Sequence, residues 1–88
     1  MPDLAKPLNN KTRIQIDLSV KELDRMNLVM EKCDIESRKD LFNNALTIFE
    51  WAIQEVGKGF RIAAVNDQSQ EKTILSMSAL NNVSQSKR

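Results

Sequence analysis

Between Lys11 and Ser19 the chain reads Lys-Thr-Arg-Ile-Gln-Ile-Asp-Leu-Ser. Ile14, Ile16 and Leu18 alternate with Arg13, Gln15 and Asp17, so an extended backbone here carries one apolar and one polar face. That is the signature of a half-buried strand. The N–H and C=O groups of a strand need partners, yet helix signals begin at Ser19 and no second strand follows closely enough to close a tight hairpin. The strand must borrow its partner from elsewhere. The expectation is that it pairs with the same strand of a second copy, covering its apolar face with a shared core and turning its polar face outward.

Composition limits what else the chain can be. At 88 residues it is one small domain with much surface for its core, a size at which association with another chain adds a great deal of buried area. Thirteen basic and twelve acidic side chains leave a net charge of +1, so there is no global basic field and any contact with a polyanion must be local. Cys33 is the single cysteine and there is no histidine, which rules out an intrachain disulfide and leaves zinc or haem almost no ligands. No metal or cofactor is expected. Without histidine, tyrosine, a glycine-rich phosphate loop or a compact acid pair, an enzyme is not expected either. No segment approaches the roughly 18 apolar residues of a membrane span, and the first residues carry no apolar run, so the expectation is a soluble, cytoplasmic protein without a membrane partner.

Residues 1 to 11, with two prolines, two adjacent asparagines and Lys6 and Lys11, read as a flexible N-terminal arm. After the strand, Ser19-Val20-Lys21-Glu22 is a capping box that starts a helix at Val20. Leu23, Met26, Met30 and Cys33 share one side of it, with Val29 beside them, and Cys33 is expected to be a small buried hydrophobe. The helix should end near Asp34, because Ser37-Arg38-Lys39-Asp40 is a second start signal. From Leu41 to Val56 the apolar positions cover a wider arc than one contact face needs, and Gly57 is the expected stop. An arc that wide fits burial against the first helix and against another chain, with Trp51 packing at its edge. Beyond it, Phe60 to Val65, the polar run Asn66 to Gln70, and Lys72 to Met77 read as strand, turn, strand, a short C-terminal β-hairpin. Met77 to Val83 adds a helical turn, and Ser84 to Arg88 is a disordered tail.

One strand of alternating polarity, a capped helix, a short turn and a second capped helix resemble, over residues 12 to 57, the ribbon-helix-helix family of the methionine and Arc repressors. The resemblance is one of order and spacing rather than of a rare motif. It implies a mainly α fold with a short ribbon, an intertwined homodimer whose two-stranded antiparallel ribbon enters the major groove of double-stranded DNA. On that mapping Arg13, Gln15 and Asp17 face bases, while Ile14, Ile16, Leu18, Leu41, Phe42, Ala45 and Phe49 form the dimer core. Arginine suits guanine O6 and N7, glutamine suits adenine N6 and N7, and an aspartate accepts from cytosine N4 or is neutralised by Arg13 of the partner strand. The start of the second helix, Ser37, Arg38 and Lys39, together with Lys11, would hold phosphates. The function so implied is sequence-specific transcriptional regulation, in the form of repression.

Two other readings compete. In one, the same dimer is an interaction module such as an antitoxin, residues 58 to 88 gripping a protein partner and DNA binding serving autoregulation. In the other, the strand pairs within the chain against Phe60 to Val65, giving a monomeric α+β protein with no role on DNA.

Overall fold

Five elements follow one another: helix α1, Val20–Lys32; helix α2, Arg38–Gly57; strand β1, Ala63–Val65; strand β2, Lys72–Ile74; and a short helix α3, Ser78–Asn81. The computed structural model describes residues 11–84, so the arm expected over residues 1 to 11 lies, but for Lys11, outside the described residues, as do residues 85–88.

α1 begins where its chemistry dictates. The Ser19 hydroxyl accepts from the Glu22 N–H at 3.1 Å, and the Ser19 N–H donates to Glu22 Oε1 at 3.0 Å, so each residue satisfies a group that the helix start would leave orphaned on the other. Leu23, Met26 and Met30 are half-buried along one side. The helix closes with two reversed bonds, Asp34 N–H to Glu31 O at 3.3 Å and Ile35 N–H to Met30 O at 2.9 Å, which require Asp34 to sit in the left-handed region at φ 56°. Cys33, expected to be buried, is exposed. Its N–H still makes the helical bond to Val29 O at 3.1 Å, but it lines an open groove between the last turn of α1 and the first half of α2 that no described residue covers.

α2 starts at Ser37, whose hydroxyl accepts from the Asp40 N–H at 3.0 Å. The reciprocal bond of α1 is not formed here, Asp40 being one methylene shorter than the glutamate at the equivalent position of α1. The helix ends at Gly57, as expected, but the left-handed turn comes two residues later. Gly57 remains helical, Lys58 is the cap, and it is Gly59, at φ 101°, that takes the left-handed turn. Gly59 N–H then bonds Val56 O at 2.9 Å and Phe60 N–H bonds Glu55 O at 3.0 Å, the same pair of closing bonds as at α1.

β1 and β2 form a two-stranded antiparallel sheet in which Ala63 faces Ile74, Ala64 faces Thr73 and Val65 faces Lys72. The pair falls inside the stretch read as strand, turn and strand, but each strand is shorter than the sequence run. The turn organises itself around Asn66, whose Oδ1 accepts from the N–H groups of Gln68 and Ser69 at 2.9 and 3.2 Å. α3 then lies against α2. Here the described chain has its only buried hydrophobic residues, Ala52 of α2 and Leu80 of α3.

One consequence concerns Asp34. An L-residue in the left-handed region carries a local cost that glycine avoids, so Asp34→Gly is expected to raise unfolding stability by up to about 1 kcal/mol. Thermal or urea unfolding measures it; a drop in stability would mean that the aspartate side chain does more at this turn than accept the conformation.

Candidate functional site

The segment from Thr12 to Leu18 is the least satisfied part of the described chain. It belongs to no strand or helix, and none of its backbone N–H or C=O groups has a hydrogen-bond partner among the described residues. Its apolar residues are open to solvent, Ile14 at 77% and Ile16 at 72% exposure. The expected half-buried strand is thus not a strand in a single chain, because strand geometry is held by a hydrogen-bonding neighbour and this segment has none. The sheet that does form joins β1 to β2, and the segment does not pair with Phe60 to Val65 as the monomeric α+β reading requires.

Arg13, Gln15 and Asp17 are exposed, and neither charge makes an ion pair among the described residues. Lys11 is also exposed. At the start of α2, Ser37, Arg38 and Lys39 are exposed and share the first turn. Ser37 Oγ takes the Asp40 N–H, while the N–H groups of Arg38 and Lys39 have no acceptor among the described residues. Two outward N–H donors, the positive end of a helix dipole and two cationic side chains make this turn attractive to an anion. Glu36 and Asp40 flank it and temper that field. No hydrogen bond or ion pair ties Arg13, Gln15 or Asp17 to this turn among the described residues.

The apolar surface of α2 extends beyond the residues expected in a dimer core. Leu41 and Phe49 are half-buried and, with Ala52 and Val56, form the stripe that faces into the chain; Ala45, on the same stripe, is exposed. At about 100° per residue, Phe42, Leu46 and Ile53 fall to one side of that stripe, and Ile48 and Trp51 to the other. All five are exposed, Phe42 at 59% and Ile48 at 62%. Leu46, Ile48 and Ile53 belong to the wide apolar arc of the sequence, although the resemblance did not place them in its dimer core. Their signal was present in the breadth of the apolar arc, which one intrachain neighbour could not cover.

Nothing among the described residues groups three or more metal-ligating side chains, and no described helix is long and apolar enough to cross a membrane. No family model, curated protein or solved structure matches the chain.

The start of α2 allows a clean separation of roles. Ser37→Ala removes the cap and should cost about 1 kcal/mol, whereas Ser37→Asp, itself a good cap, should leave unfolding nearly unchanged. If both variants unfold like the parent, the Ser37 to Asp40 bond does not hold this helix start.

Proposed function

We propose that two copies of this chain form an intertwined homodimer of the ribbon-helix-helix kind, and that the dimer is a sequence-specific DNA-binding regulator, a repressor of transcription. The observation that carries the reading is the segment from Thr12 to Leu18, which alternates in polarity, exposes its apolar face and has no backbone partner among the described residues. Pairing it with its own copy supplies the missing hydrogen bonds and covers Ile14, Ile16 and Leu18, each worth about 1.5–3 kcal/mol when fully buried. The exposed flanks of α2 favour intertwining over side-by-side contact. A partner that covers Phe42, Leu46 and Ile53 on one side and Ile48 and Trp51 on the other has to pass on both sides of the helix.

In this assembly the core takes the apolar face of the ribbon, and Arg13, Gln15 and Asp17 project from the other. A two-stranded ribbon fits the major groove, where arginine and glutamine discriminate bases by bidentate hydrogen bonds. The first turn of α2, with Arg38 and Lys39, holds a phosphate on each side and fixes the ribbon's placement without reading sequence. The near-neutral net charge agrees with contacts confined to these places.

A second reading draws on the exposed Phe60, Val65, Ile74, Leu75 and Met77. An apolar surface on the C-terminal unit favours an antitoxin-like module in which residues 58 to 88 take a protein partner and DNA binding serves autoregulation.

Titration of the full chain against specific and scrambled duplexes over a range of salt tests the division of roles. Lys39→Ala should weaken binding to every duplex and lower the salt slope by about one for each phosphate that is no longer neutralised. Gln15→Ala should instead narrow discrimination at particular base pairs by about 1–3 kcal/mol. An identical, uniform weakening from both substitutions would contradict the assignment, and the absence of duplex binding by the parent chain would remove the DNA role.

A further inference from the structure

The C-terminal hairpin is open in its own way. All the residues of Ala63–Val65 and Lys72–Ile74 are exposed, so no described element covers either face of the sheet. An isolated pair of strands is only marginally stable in water, and further strands are one thing that makes such a unit hold.

The phase of the ladder fixes which backbone groups a third strand would meet. Leu75 N–H bonds Ile62 O at 2.8 Å, and Asn66 N–H bonds Glu71 O at 2.9 Å. With Ala63 opposite Ile74 and Val65 opposite Lys72, these bonds fall on alternate pairs, and the inward bonds between them belong to Ala64 and Thr73. The N–H and C=O groups of Ala63 and Val65 therefore point away from β2, and those of Lys72 and Ile74 point away from β1. None of these groups has another backbone partner among the described residues.

The two edges differ. β2 carries Lys72 on its edge with Glu71 beside it, and charge on an edge strand hinders pairing with another strand. β1 reads Ala-Ala-Val, small and uncharged. Opposite charges stand just beyond its ends, Arg61 before it and Asp67 after it, and neither makes an ion pair among the described residues. A strand with a cation beyond one end and an anion beyond the other complements its own antiparallel copy, because each end then meets the opposite charge. A parallel copy would bring like charges together.

We infer that β1 pairs through its outer edge with β1 of a second copy, antiparallel, so that two hairpins form one four-stranded sheet. This contact uses none of the residues of the ribbon and does not depend on the dimer proposed above. β1 follows the end of α2, whose 20 residues run about 30 Å from the first turn at Arg38 and Lys39. Ribbon dimers are thus joined to one another through their hairpins, each contact presenting the same patch from both sides.

Sedimentation of the full chain over rising concentration tests this with edge variants. Val65→Pro removes an outward N–H of β1, and proline is tolerated on an edge strand whose N–H faces solvent, so the ladder to β2 stays intact. Ile74→Pro removes the same kind of donor from the other edge. The parent should form species of four chains or more, Val65→Pro should stop at two, and Ile74→Pro should behave as the parent. Asp67→Lys should weaken the association several-fold, and adding Arg61→Glu should restore it. Two chains in both the parent and Val65→Pro, up to millimolar concentration, overturns the hairpin pairing, keeps the ribbon dimer and leaves the edge to a strand of another protein. Two chains in the parent and one in Val65→Pro supports the hairpin pairing and overturns the ribbon dimer. A single chain in both overturns both. Equal loss of association in Ile74→Pro, or a double charge reversal no better than the single one, overturns the antiparallel pairing at the edge of β1.

Discussion

A backbone that leaves water must find hydrogen-bond partners, and a strand cannot find them within itself as a helix can. This protein places an alternating strand sequence directly before two well-capped helices, where none of the described residues pairs with it. The helices are locally self-sufficient: Ser19 and Glu22 close the start of α1, Ser37 caps α2, and both helices end in the same pair of reversed bonds. The segment from Thr12 to Leu18 has no such recourse. Its exposed apolar face and a backbone without partners among the described residues make the same demand, and the proposed partner strand would answer both.

The interior of the single chain points the same way. Ala52 and Leu80 are the buried hydrophobic residues of the described chain, and they belong to the contact between α2 and α3 rather than to the strand or to α1. Burial of that extent offsets little of the conformational entropy that ordering about seventy residues costs, on the order of 1–2 kcal/mol for each backbone. The proposed dimer supplies the missing core from the residues that the chain exposes, on the ribbon and on both flanks of α2. In that account the C-terminal unit does something different: it closes over the far end of α2 and limits how much of that helix a second copy can reach.

Much of this was legible in the sequence because it is written in short-range patterns. The polarity alternation at Ile14, Ile16 and Leu18, the capping box at Ser19 and the cap at Ser37 each depend on residues within a few positions of one another. What escaped depends on geometry that such patterns do not encode. Gly57 and Gly59 are both acceptable helix stops, and which one turns left-handed is decided by where the last bonds to Glu55 and Val56 close. Cys33 follows the apolar spacing of α1, but its exposure depends on what packs over the open groove it lines, which the spacing does not encode. The burial of Leu80 against α2 joins residues far apart in the chain and has no periodic signature. The candidate site divides in the same way: its residues were proposed from local chemistry, and the assembly proposed for them needs a second chain, which no short-range pattern encodes.

The central claim, that folding and self-association are one event, is tested most directly by the thermal unfolding midpoint of the full chain measured over a wide range of chain concentrations. If two copies share one core, the midpoint should climb by about 3–5 °C for each tenfold rise in concentration, since association then contributes to the stability being measured. A midpoint that stays constant across that range would contradict the account, because the chain would then be folding alone.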